Sequence, residues 1–217
     1  MGLEASSRGT PGSLHPLFTL GHSTLDFEPF AKILQDHCVA LVCDVRSSPR
    51  SSRSPHFSQP AFEKLLENGG VAYLYLGEEL GGRPDDLDAY RQNGLVDYRT
   101  RRKAYAFRAG VERVLNELEK RSAALLCAEE DPLECHRFLM ICPELVRCGI
   151  QPQHIRKDSS IETQEAAETR LLIATGFDAV ATNTLFQEAR AQALEDAYQI
   201  QAERVAFRVS PLALDRY

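Results

Sequence analysis

Four stretches of the chain bring together residues able to do chemistry: Gly21-His22-Ser23, Asp44-Val45-Arg46, Gly81-Gly82-Arg83, and Cys127-Ala128-Glu129 followed by Cys135-His136-Arg137. The last is the densest. A cysteine at the start of a helix has its thiol pKa lowered by the unpaired amide N–H groups there. This nominates Cys135 as a nucleophile and His136 as a base or anion ligand. The same amides can receive a phosphate, and Arg137 can clamp it with two parallel hydrogen bonds. Cys127 closes the preceding strand, and the loop Ala128 to Glu134 can fold back to bring the two sulfurs close, making Cys127 a second nucleophile or a redox partner. His22, Asp44 and Glu129 are candidates for moving protons. Ser23, Arg46, Gly81, Gly82 and Arg83 are candidates for holding substrate.

A serine- and arginine-bearing loop, Ser47 to His56, adds Arg50, Arg53 and His56. Arg99, Arg101, Arg102 and Lys103 form a second basic cluster. Either could grip phosphates, and Tyr73, Tyr75, Tyr90 and Tyr98 offer stacking surfaces. Each of these residues also has a plainer reading: Cys127 as a packed core thiol, Cys135 as a buried cap, His22 as a loop hydrogen-bonder, Asp44 as a structural partner of Arg46 or Arg137, Glu129 and the basic loop as solvated surface. Cys38, Cys43, Cys142 and Cys148 fall on packing positions. A metal site on Cys127, Cys135 and either His136 or His22 is disfavoured, because consecutive residues of a helix point about 100° apart. No C-x-x-C pair occurs, so neither a metal nor another cofactor is expected.

The elements that must position these residues alternate. Leu17 to Leu20, Val39 to Cys43, Val71 to Leu76, Ala123 to Cys127 and Gln153 to Ile155 read as strands. Helices are expected after Asp26 and Ser58, near Asp86 to Gln92, over Tyr98 to Arg121 as one piece, and from Glu134 or Cys135 to Cys148 with a kink or break at Pro143. Gly77 to Pro84 reads as too glycine-rich for a helix. Strand–helix alternation predicts an α/β fold: an open, mainly parallel sheet of about five strands flanked by helices, Rossmann-like, with ligands received at the carboxyl ends of the strands. Residues 17–157 form this unit. Residues 158–217 read as a helical extension packed on it, with helices over Thr163 to Ala174 and about Leu185 to Ala206 and a surface able to support self-association. Met1 to Pro16, rich in Ser, Gly and Pro, reads as a disordered lead-in.

Composition narrows the classes. Of 217 residues 43% are hydrophobic, enough for a core, and the net charge of -6 argues against a general nucleic-acid coat protein. No apolar run approaches the roughly 20 residues of a membrane span. No secretory signal is visible, so the six cysteines are expected in a reducing, cytoplasmic setting.

Thr19-Leu20-Gly21-His22-Ser23, Asp44-Val45-Arg46, Pro49 with Ser52, Pro55-His56-Phe57, Leu80 to Pro84, and Cys127-Ala128-Glu129 with Cys135-His136-Arg137 occur in this order. Together they resemble the family catalogued as domain of unknown function 488, over about Leu17 to Ile155. The resemblance implies the α/β fold and a site built on these motif residues, and it supplies no reaction. The expected function is an enzyme acting on a phosphate-bearing substrate, a nucleotide or nucleic acid, in the cleft; the rival is a non-catalytic binding module serving a partner enzyme.

Overall fold

The computed structural model describes residues 14–178 and 187–210. Most of the lead-in, and the start of the last predicted helix, lie outside those residues. Six strands form one sheet in the order β3-β2-β4-β1-β5-β6: β1 (Leu17–Gly21), β2 (Leu41–Asp44), β3 (Ala72–Tyr75), β4 (Ala123–Cys127), β5 (Gln153–Ile155) and β6 (Ile161–Thr163). Five are mutually parallel, while β6 runs antiparallel to β5. The sheet is therefore mixed, with one strand more than expected. Ile161-Glu162-Thr163 is too short and polar to announce itself.

Alternation along the parallel strands serves two faces. Leu41, Cys43, Leu125 and Cys127 belong to one buried cluster, which is covered by α5 (Tyr105–Leu118), α6 (Cys142–Arg147), α7 (Gln164–Ala174) and α8 (Gln187–Val205). Phe18, Leu20, Val42, Ala124 and Leu126 belong to the other, beneath α1 (Phe27–Asp36) and α2 (Ala61–Asn68). There Phe30, Phe57 and Phe62 meet at ring separations of 5.0–5.6 Å, edge-on or tilted, as aromatic quadrupoles favour. The C-terminal helices share the first core through Leu171, Leu172, Ala193, Ala197 and Tyr198. None of the described helices is long and apolar enough to cross a membrane.

Several boundaries differ from the sequence reading. Gly77–Leu80 makes one helical turn, α3, because Leu80 is buried and its N–H reaches the Leu76 carbonyl. Asp86 to Gln92 yields only a single 3-10 turn, Leu87–Ala89. Tyr98 to Arg121 is two helices, α4 (Tyr98–Lys103) and α5, parted by extended backbone at Ala104. Ser58 does not cap α2 with its side chain: its hydroxyl accepts from the Ser51 N–H. The segment after Cys135 is a π-helical turn, Arg137–Ile141, which hands over to α6 with Pro143 in its first turn. Proline lacks the N–H that an uninterrupted helix would use there.

The connections leaving β1 and β4, neighbours in the sheet, diverge. The chain from β1 passes through α1 to β2 on one side, and the chain from β4 passes through α6 to β5 on the other, using opposite faces of the sheet. Such divergence opens a crevice at the strands' carboxyl ends. Gly21 and Cys127 lie side by side there in register.

Candidate functional site

A cavity of about 350 Å³ opens beside this crevice. His22 follows β1, Arg46 follows β2, Gly82 and Arg83 follow α3, Cys127 ends β4, and Glu129 and His136 follow it; all seven line the cavity. Gly21 allows β1 to close on the β4 loop, since a Cβ there would overlap the Glu129 carbonyl. Gly82 lies flat against the His136 imidazole, where a Cβ would come within 2.9 Å of the ring.

The chemical centre of the cavity is Cys127, Cys135 and His136. Their donor atoms all lie within 4.8 Å of one another. His136 Nδ1 is 3.7 Å from Cys127 Sγ and 3.9 Å from Cys135 Sγ. His136 Nε2 donates to the Val45 carbonyl at 3.0 Å, which fixes the ring and turns Nδ1 toward the sulfurs. The objection that neighbouring helical residues diverge does not apply, because Cys135 is extended, with φ -137° and ψ 139°. Cys127 Sγ also donates to Glu129 Oε2 at 2.9 Å. The two thiols titrate as a pair. The hydrogen bond to Cys135, burial and the Glu129 charge hold Cys127 well above the usual thiol range. Burial alone would raise Cys135 too, but Cys127, Arg137 and His136 outweigh it and hold Cys135 well below.

Other predicted site residues have different roles. Arg137 is 1% exposed and does not line the cavity. It donates to Thr19 Oγ1 and to the Glu129 and Glu130 carbonyls, the last two at 2.6 and 2.8 Å, so its guanidinium clamps the β4 loop rather than an anion. Asp44 is fully buried and paired with Arg46 through two oxygens, at 2.8 and 2.6 Å, and accepts from Tyr73 Oη at 2.9 Å. Both Asp44 oxygens are thus committed to partners, and so are most donors of Arg46, which also reaches the Phe57 carbonyl. His22 Nδ1 donates to the Ser23 carbonyl, and Nε2 accepts from Arg46 Nη1 at 3.3 Å. Burial, with Arg46 beside it, lowers the His22 pKa to about 4, so it faces the cavity uncharged.

Cys135, at 1% exposure, does not itself line the cavity. Ser23, Arg53, His56 and Gly81 do not line the cavity: Ser23 makes the turn after β1 with φ 47°, His56 Nε2 donates to the Leu25 carbonyl, and Gly81 packs against Gly77 and Ser47. In the second basic cluster, Arg101 turns inward to the Glu78 and Glu79 carbonyls, while Arg99 and Arg102 meet Glu195. Of the four tyrosines, Tyr98 alone lines the cavity.

The sequence reading missed a wall. Val205 and Phe207 line the cavity, held there by a bridge between Leu95 and Arg208 and by the Val96 N–H on the Phe207 carbonyl. Arg83 stacks on the Phe207 ring at 4.5 Å. Phe207, a lone aromatic just past the last helix, is the only signal the sequence offers of this. Arg50 and Arg83 are exposed on the lining, and among the described residues neither has a carboxylate partner.

A family model described as domain of unknown function DUF488 matches residues 26–141, just over half of the chain. The match spans Asp44, Arg46, Gly82, Arg83 and the whole Cys127 to Arg137 centre. It leaves His22 and the Phe207 wall outside. Neither the curated proteins nor the solved structures compared contain a match.

Proposed function

Because this chain belongs to the DUF488 family, whose description names no reaction, we propose from the site alone that it is an enzyme acting on a phosphate-bearing substrate. The observation that carries this reading is a single cavity that joins Arg50 and Arg83, neither of which has a carboxylate partner among the described residues, to the Cys127–Glu129–His136 centre. On a chain of net charge -6, a local pair of guanidinium groups with no carboxylate partner among the described residues favours anions, which guanidinium binds through charge-assisted hydrogen bonds. Glu129 stands beside the centre as the proton-transfer group. The uncharged His22 and the phenol of Tyr98 complete a lining that can hydrogen-bond a sugar or base.

The experiment is anion binding by the purified chain, using inorganic pyrophosphate and a short single-stranded oligonucleotide as probes. Pyrophosphate is expected to raise the melting temperature, and the joint substitution Arg50→Ala and Arg83→Ala is expected to weaken its binding about 10- to 100-fold, in line with roughly 1.5–3 kcal/mol for a hydrogen bond to a charged group. Binding should fall with added salt. Equal binding by the doubly substituted chain overturns the reading. Tight, salt-dependent oligonucleotide binding that survives Glu129→Gln, with no turnover of either probe, would instead favour the accessory binding module.

A further inference from the structure

The geometry points to a zinc site formed by Cys127 Sγ, Cys135 Sγ and His136 Nδ1, with its fourth coordination position open to the cavity beside Glu129.

Three observations carry it. The first is spacing. Tetrahedral zinc with Zn–S near 2.3 Å and Zn–N near 2.0–2.1 Å keeps its ligand atoms roughly 3.5–3.8 Å apart. The sulfur–nitrogen separations here are 3.7 and 3.9 Å, and all three donors fit within 4.8 Å. Cysteines from a strand end and an extended loop residue, with a histidine from the start of a π-helical turn, reach this arrangement together.

The second is orientation. Metal-bound histidines commonly donate their other ring N–H to a backbone carbonyl, which holds the ring and aims the ligating nitrogen. His136 does this through Nε2 to Val45 at 3.0 Å. Gly82 packs on the same ring, so the imidazole is gripped from two directions before any ion arrives.

The third is chemistry and access. Two thiolates and one imidazole are a donor set suited to zinc, and three protein ligands beside a cavity make the open kind of site, whereas four make the closed structural kind. Two thiolates neutralise a divalent ion. The remaining charges, Arg137 behind the sulfurs and Glu129 in front, are of opposite sign. Cys127, Glu129 and His136 all line the cavity, so the free position opens where a substrate would sit.

The inference does not depend on the proposed substrate, and the two can fail separately. The full chain, purified without chelators, is expected to carry one zinc per chain by elemental analysis. Cobalt(II) loaded into the stripped chain should give thiolate charge-transfer bands and a tetrahedral ligand-field spectrum. Cys127→Ser and Cys135→Ser should each weaken zinc binding at least about 100-fold, and Glu129→Gln should keep the metal. Should Cys135→Ser fail to fold, Cys127→Ser and the cobalt spectrum of the unsubstituted chain still decide. Arg50→Ala with Arg83→Ala should leave zinc content unchanged. A folded, reduced chain that takes up no stoichiometric zinc or cobalt overturns the site, as does zinc held equally well by the cysteine variants.

Discussion

Asp44 and Arg46 belong to one short motif, yet burial has turned them toward each other. The carboxylate has no exposure. Its oxygens take two bonds from the Arg46 side chain, one from the Arg46 N–H and one from Tyr73. Removing one partner from such a pair leaves an uncompensated buried charge, so Asp44→Ala should cost about 3–5 kcal/mol, read as a shift in the denaturation midpoint. A cost below about 1 kcal/mol would mean that water reaches Arg46 and that the pair is not what sets the β2 turn. Arg137 shows the same ambiguity from the cationic side. A guanidinium beside a cysteine and a histidine in the sequence suggests an anion clamp, but its donors end on carbonyl oxygens of the loop just upstream. Residue type told that Arg137 would bind something oxygen-rich. Only the loop path could show that the oxygens were the chain's own.

At the scale of elements, the periodicity of apolar residues marked the five parallel strands and α1, α2 and α5, because each buries a continuous face. What it missed was set by exceptions to regular geometry. An extended Cys135 followed by a π-helical turn cannot be inferred from spacing, although Pro143 correctly marked a break. That irregularity is what lets Cys135 and His136 face one point. The β4 loop on which they depend is tied from three directions: Arg137 holds the Glu129 and Glu130 carbonyls, Arg156 pairs with the Glu130 carboxylate at 2.9 Å, and Arg170 of α7 grips Asp131 with two bonds. Arg170→Ala should therefore speed hydrogen exchange in the Glu129 to Glu134 amides several-fold while leaving those of β4 protected, since loops open locally when their anchors go. Uniform acceleration across both segments would show that Arg170 acts on global stability instead.

Across the whole molecule, one buried polar chain connects the site to the C-terminal helices. Arg137 Nε donates to Thr19 Oγ1, Thr19 donates to His154 Nδ1, His154 Nε2 donates to Gln164, and Gln164 reaches Tyr198 of α8. The reading of residues 158–217 as an elaboration missed this coupling, because Gln164 and Tyr198 carry no pattern that singles them out. The chain makes stability pH-dependent through His154, which is fully buried. Burial, with Arg137 adding to it, lowers the His154 pKa from 6.5 to about 4. The unfolded chain takes up a proton below about 6.5, whereas the folded one refuses it until about 4. His154 thus costs nothing above pH 6.5 and progressively destabilises the fold as pH falls toward 4, by about 3 kcal/mol at the end of that window. Asp131, lowered from 3.8 to about 2 against burial by its bonds to Arg170 and the Leu133 N–H, gives stability that is lost only below that window, so the two contributions separate. His154→Gln should be less stable at pH 7, having lost its fitted contacts, yet lose about 2 kcal/mol less than the unsubstituted chain between pH 7 and pH 5. His22, with a similar shift, remains in both proteins and cancels in the comparison. Denaturant titrations at the two pH values check this, and parallel losses in the two proteins would mean that His154 is protonated in the folded chain.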